Sequence, residues 1–165
     1  MKKAIILLGL ICCMAGSSCY PDKCCYIPPR PENSIVAIRN GFAWSVFNPL
    51  AKITLDTLTI SDNFADIVHS EMIAFKLKFR GTDNYTLLPA NVIYEFAPAT
   101  NVSALNYTLD PGFNNSFSVT NYDTSTGLIT GTFNIRLNKD AANTDTRYPA
   151  TVSFLDGTFN IHLSK

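Results

Sequence analysis

From residue 34 onward apolar and polar residues alternate with a period of two, and Phe, Tyr, Thr, Val and Ile dominate the alternating runs. Successive side chains of a strand point to opposite faces, so this alternation predicts half-buried β-strands. The first unit is Ile35-Val36-Ala37-Ile38-Arg39, then Asn40-Gly41, then Phe42-Ala43-Trp44-Ser45-Val46. Asn-Gly between two such runs is the strongest short hairpin signal, because both residues accept the positive φ of a type I′ turn. Counting outward sets Ala37 opposite Trp44 and Ile35 opposite Val46. The only tryptophan is thereby expected to anchor an apolar cross-strand cluster.

Further strands are predicted at residues 53–60, 72–80, 85–88, 92–96, 106–109 and 116–122. In the second of these Ile73, Phe75, Leu77 and Phe79 alternate with Ala74, Lys76, Lys78 and Arg80. The cationic face reads as a solvated one whose charges deter edge pairing. Residues 61–70 suggest a short helix, with Ser61 as N-cap, Asp62 in the first turn, and Phe64, Ile67 and Val68 on one side.

Near the C-terminus Gly131-Thr132-Phe133-Asn134-Ile135-Arg136-Leu137-Asn138-Lys139 returns as Gly157-Thr158-Phe159-Asn160-Ile161-His162-Leu163-Ser164-Lys165, identical at seven of nine positions. Both copies put large apolar residues at alternate positions, so each is a strand with one buried face. Asp156-Gly157 is expected to be a two-residue hairpin turn that pairs Phe154 with Phe159 and Val152 with Ile161. Gly131, inside a run that starts at Leu128, marks a bulge or a close backbone approach. The sum is an all-β fold, an antiparallel β-sandwich or squat barrel of roughly 9 to 11 strands.

These residues carry a resemblance. The chain resembles small lipoproteins of Bacteroidota that are grouped as a domain of unknown function. The shared elements are an early strand with a tryptophan, here Trp44, and a looser Gly-x-x-x-Tyr-x-Leu element, here Gly81 to Leu87. They continue with an Ile-x-Gly-Thr-Phe strand, here Ile129 to Phe133, and an Asp-Gly-x-Phe hairpin, here Asp156 to Phe159. The resemblance implies a lipoprotein of the outer membrane or periplasm, and it implies no reaction.

The first residues fit that expectation. Lys2 and Lys3 precede an uncharged apolar run over residues 4–15, the pattern of a secretion signal. Gly16, Ser17 and Ser18 interrupt it well short of the roughly 20 apolar residues a membrane span needs. Small residues immediately before Cys19 suit a lipoprotein-processing peptidase, although Gly16 stands where an aliphatic residue is usual. Cleavage before Cys12 or Cys13 would halve the apolar stretch. Residues 1–18 are thus expected to be a signal peptide and Cys19 a lipid anchor, the alternative being an ordinary cleaved signal with Cys19 as a free thiol. Several acyl chains on one cysteine, at about 0.8 kcal/mol per buried methylene, would hold the protein firmly on a membrane. Residues 19–33, with Pro21, Pro28, Pro29 and Pro31, read as an extended tether, and residues 34–165 as one domain. Cys24 and Cys25 lie in the tether, and no cysteine follows them, so the domain has no disulfide staple.

The chain carries 13 basic and 13 acidic residues, which excludes nucleic-acid binding through a basic patch. His69 and His162 stand in no metal-binding spacing. Asp62, Asp66, His69 and Glu71 form the densest acidic cluster but lack the spacing of a calcium loop. No Gly-x-Ser-x-Gly elbow occurs. No catalytic residue, metal or cofactor is expected. If the last strands form a meander, Asn134, Arg136, Thr151, Ser153, Asn160 and His162 share one polar face that suits a sugar or small anion, unless it is simply the solvated side of the sheet. The function expected from sequence is therefore a lipid-anchored binding or envelope-assembly module of the outer membrane, with a glycan or an envelope protein as partner. The alternatives are a carrier of an apolar ligand in a barrel cavity and an unrecognised enzyme.

Overall fold

The computed structural model describes residues 32–65, 70–97 and 104–164. Its strands, in chain order, are β1 (Ser34–Arg39), β2 (Phe42–Phe47), β3 (Leu50–Thr54), β4 (Thr57–Ala65), β5 (Ser70–Lys78), β6 (Asp83–Tyr85), β7 (Val92–Ala97), β8 (Leu105–Leu109), β9 (Ser116–Asp123), β10 (Leu128–Lys139) and β11 (Thr151–His162). The eleven strands form one antiparallel sheet curled into a half-barrel. Its main path runs β2-β1-β11-β10-β8-β7-β5-β4-β3, and β9 with β6 branches from β10. The branch follows from length. At twelve residues β10 serves two neighbours along one edge, β9 opposite Leu128 to Asn134 and β8 opposite Leu137 to Lys139. Curling returns the far end of the path to β11: the backbone N–H and the hydroxyl of Ser164 both donate to the Ala51 carbonyl of β3, each at 2.7 Å.

The first hairpin folds as its turn dictates. Asn40 and Gly41 take φ of 49° and 86°, and Ala37 pairs with Trp44 and Ile35 with Val46. The Trp44 ring stands edge-on to Phe154 with centroids 4.9 Å apart. The concave side holds the core, in which Phe75, Phe117, Phe133, Phe154 and Phe159 are fully buried. Phe117 stacks on Phe159 at 5.0 Å, and Phe75 bridges Phe117 and Phe133 at 5.0 and 5.1 Å.

Three local expectations are corrected. Residues 53–60 are not one strand but the β3–β4 hairpin, turned by Leu55 and Asp56 at φ 48° and 61°. Leucine is a poor residue for that conformation, and with its side chain 94% exposed it disguised the turn as part of an apolar run. Residues 61–65 are strand, not helix, because the backbone of β4 pairs with β5 from Thr57–Lys78 as far as Ala65–Ser70; residues 66–69 of the expected helix lie outside the described residues. Asp156-Gly157 is not a hairpin turn. β11 runs straight through it, flanked by β10 on one edge and β1 on the other, and a strand paired on both edges has no room to reverse. Asp156, at φ 52°, is instead the extra residue of a bulge. The register slips opposite Asn134 in β10 and opposite Ala37 in β1. The Asn134 side-chain oxygen accepts the displaced Asp156 N–H at 2.8 Å.

The repeat has a further consequence. Its two copies pair with each other head to tail, Gly131 with Phe159, Thr132 with Thr158, and Phe133 with Gly157. Each glycine lies beneath the phenylalanine of the other copy. A Cβ on Gly131 would fall 2.2 Å from the Phe159 ring, and one on Gly157 would fall 2.5 Å from the Phe133 ring. The sequence expectation of a bulge or close approach at Gly131 is met in both forms, since the β9–β10 register also shifts there.

The β9–β10 connection closes on Asp123. Its carboxylate accepts from the Ser125 hydroxyl (2.6 Å), the Ser125 N–H and the Thr126 hydroxyl (both 2.8 Å). The hydroxyl of Ser125, then that of Thr126, lowers its pKa to about 2. Depression in the folded state means that the turn's contribution is complete above the ordinary carboxylate range and is lost as the pH falls through about 2. A carboxyl-detected NMR titration should find the Asp123 midpoint near that value, and replacing both hydroxyl residues by alanine should return it toward the usual range.

Candidate functional site

In a half-barrel the inward stripe of every strand should be apolar, and three strands break that rule at one end. Arg39 shares its face of β1 with buried Ile35 and Ala37, Asp62 its face of β4 with Leu58 and Ile60, and Glu71 its face of β5 with Ile73, Phe75 and Leu77. Arg39 Nη1 donates to both Glu71 oxygens, at 2.7 and 2.6 Å. The Tyr94 hydroxyl, projecting inward from β7, donates to Glu71 Oε1 at 3.1 Å. Glu71 is 14% and Arg39 35% exposed, so the pair lies at the mouth of the half-barrel.

The electrostatics follow from that position. Burial works to lower the pKa of Arg39, but the hydrogen bond and the charge of Glu71 outweigh it and the guanidinium is held more firmly protonated. Burial first, and then the negative charge of Glu71, push Tyr94 well above the ordinary tyrosine value. Both groups keep their protons throughout the neutral range.

Two cavities flank the pair. One, of about 210 Å³, is lined by Arg39, Asn40, Tyr94, Phe96, Tyr107, Tyr148, Pro149 and Val152. Its rings pack edge-on, Tyr94 with Tyr107 at 5.4 Å and Phe96 with Tyr148 at 5.9 Å, and the Tyr107 hydroxyl donates to the Pro149 carbonyl at 3.1 Å. The other, of about 150 Å³, lies between Arg39, Trp44, Ser45, Val46, Asp62 and Glu71. Larger hollows of about 370 and 490 Å³ are open surface grooves, by Ala104 to Asp145 and along the outside of the β1–β2 hairpin. Aromatic walls with a few convergent polar groups are the usual chemistry of a small-molecule site. At the centre of the half-barrel, where a carrier would need its hollow, the five buried phenylalanines stand instead.

The polar row expected from the sequence is found on the convex face but is spread out. Arg136 stands opposite Ser153 and Thr151 opposite Asn138, whereas Asn160 is opposite Thr130 and His162 opposite Leu128. Eight residues of strand separate the Arg136 and His162 positions, about 27 Å. The members are also engaged locally. Arg136 lies over the Phe113 ring at 4.4 Å, Asn134 holds the bulge, and His162 Nδ1 is 3.4 Å from the Thr126 carbonyl. The Asn160 side-chain oxygen is buried with no hydrogen-bond partner among the described residues. Of the acidic cluster weighed for metal, Asp66 and His69 lie outside the described residues, as does Cys19. Among the described residues no group of three or more His, Cys, Asp or Glu side chains is placed to hold a metal ion.

The sequence reading missed Arg39 and Tyr94 and took Glu71 only as part of an acidic cluster. A usable signal existed, since Arg39, Asp62 and Glu71 each fall on the apolar phase of a strand. No family model, curated protein or solved structure matches the chain.

Proposed function

We propose that this chain is an exported lipoprotein of the Bacteroidota type, fastened by acyl chains on Cys19, and that its β domain binds a small ligand at the mouth of the half-barrel. The observation that carries the binding reading is the Arg39–Glu71–Tyr94 network, charged and inward-facing beside an aromatic cleft. Charges placed on a buried stripe cost desolvation energy, and function is a common reason for a fold to keep them. Binding suits these groups better than acid–base chemistry, because a general base must release and take up a proton near the working pH and neither Arg39 nor Tyr94 does. The packed aromatic centre favours a ligand held at the mouth over one carried inside.

Two measurements test the two halves. Cells labelled with palmitate should incorporate it into the wild-type protein and not into Cys19→Ala, and the variant should leave the membrane fraction; equal labelling or equal retention removes the anchor. Trp44 is the only tryptophan and lines the smaller cavity, so its emission reports on the mouth. A fragment screen on the full chain should find compounds that shift this emission in the wild type and not in Tyr148→Ala. Shifts that survive the substitution place the ligand elsewhere.

A further inference from the structure

Resting on the mouth as a binding site, we propose that its ligand is a single neutral sugar ring, a hexopyranose at the end of a glycan, seated in the cleft between Arg39 and the rings of Phe96, Tyr107 and Tyr148. Three properties of the cleft select that chemistry. The first is charge. Arg39 Nη1 donates to both oxygens of Glu71, at 2.7 and 2.6 Å, so the guanidinium is already neutralised by a carboxylate partner. A carboxylate or phosphate ligand would have to compete with Glu71, and a cation would meet Arg39.

The second property is the pairing of apolar walls with hydrogen-bonding groups that stay wet. Tyr94, Phe96, Tyr107, Tyr148, Pro149 and Val152 supply apolar surface, and Arg39 and Asn40 supply polar edges. The negative face of an aromatic ring attracts the positively polarised C–H groups of a partner, and one face of a pyranose consists of such groups. Its hydroxyls, which both donate and accept, meet the N–H donors of the Arg39 guanidinium and the side-chain amide of Asn40. A purely aromatic ligand would instead strip water from Arg39 and Asn40 and return no hydrogen bond, which leaves those groups unsatisfied.

The third property is size. About 210 Å³ equals the liquid volume of roughly seven water molecules, which is one sugar ring and not two. The rest of a glycan would project past Tyr148 into solvent.

The experiment uses the full chain in a detergent without a sugar headgroup. Methyl glycosides of glucose, galactose, mannose and N-acetylglucosamine are titrated by saturation-transfer NMR and Trp44 emission, with galacturonate, inorganic phosphate and indole as contrasts. At least one neutral glycoside should bind in the millimolar range, at least tenfold more tightly than galacturonate. Tyr148→Ala should weaken it at least fivefold while the domain still melts cooperatively, its melting temperature lowered by the lost edge-on contact with Phe96, and Glu71→Gln, which loosens the hold on Arg39, should weaken it tenfold. Thr132→Ala on the convex face should leave it unchanged. If only indole, galacturonate or phosphate binds and Tyr148→Ala abolishes that binding, the sugar proposal is overturned while the mouth stands as a binding site. If a glycoside binds equally to wild type and Tyr148→Ala, the cleft is not its site. If none of the probes binds, both the sugar and the mouth reading fall.

Discussion

Replacing Gly131 by alanine should destabilise the domain by about 3 kcal/mol, at the upper end of what overpacking usually costs, and lower its melting temperature by about 10 °C. The added methyl would sit 2.0 Å from the Ser118 carbonyl oxygen and 2.2 Å from the Phe159 ring. The first of these obstacles is backbone, held by the β9–β10 ladder that pairs Gly131 with Val119 and Thr132 with Ser118. The second is a ring buried against Phe117. Neither has room to move. For Gly157→Ala the nearest obstacle is side chain and not backbone, the Phe133 ring at 2.5 Å, so it should cost less, and Phe133→Leu in the same chain should recover part of the loss. Phe159→Leu should recover little for Gly131→Ala, because the carbonyl remains. Urea melts of the four variants, with Thr132→Ala as an exposed control within about 0.5 kcal/mol of wild type, read the order directly. A Gly131→Ala protein as stable as the control would show that the two copies do not interlock as described.

Removing Arg39 should have the second-largest effect. Arg39→Met leaves Glu71 mostly buried with the Tyr94 hydroxyl as its remaining partner from the network. Orphaning one member of a fully buried pair costs about 3–5 kcal/mol; with Arg39 about one-third exposed, roughly 2 kcal/mol is expected here after allowance for solvent screening. The double variant Arg39→Met, Glu71→Met should return to within about 1 kcal/mol of wild type, since an apolar pair of similar volume often replaces an ion pair without loss. A double variant as unstable as the single one would mean that the ion pair itself holds the mouth together. Tyr94 adds an alkaline signature. Its pKa is raised in the folded state, so its contribution is complete below the ordinary tyrosine value near 10 and declines as the pH rises above it, where the unfolded chain ionises first. Tyr94→Phe should flatten that decline.

How much of this was legible in the sequence depends on whether the signal was local. The Asn40-Gly41 hairpin was readable to the residue pair, because turn type fixes register over the next few positions and the alternation of Ile35, Ala37, Trp44 and Val46 agrees with it. The strand character of both Gly-Thr-Phe copies was readable for the same reason. Their mutual pairing was not. Asp-Gly is an equally good turn and bulge signal, and what decides between them is whether strands lie on both edges, a fact supplied by β1 more than a hundred residues earlier. The turn at Leu55-Asp56 escaped because leucine carries no turn signature, although the apolar phase shifts by one between Leu55 and Leu58. The mouth escaped because Glu71 and Tyr94 meet only through the pairing of β5 with β7, and Arg39 on β1 reaches them only through the curl of the sheet.

The seam between β1 and β11 governs how the molecule can be made. Ser34 pairs with Asn160, so the sheet stays incomplete until nearly the whole chain is present. Bringing such distant segments together costs about 4 kcal/mol of chain entropy, and sheets dominated by distant pairings fold slowly, in milliseconds to seconds. A ribosome delivering this chain from its amino end therefore releases β1 long before its β11 partner arrives. In that interval the β1 edge that β11 will cover, Ser34-Ile35-Val36-Ala37-Ile38 and uncharged over those residues, is left bare, and any factor that shields nascent chains has its strongest reason to hold on there.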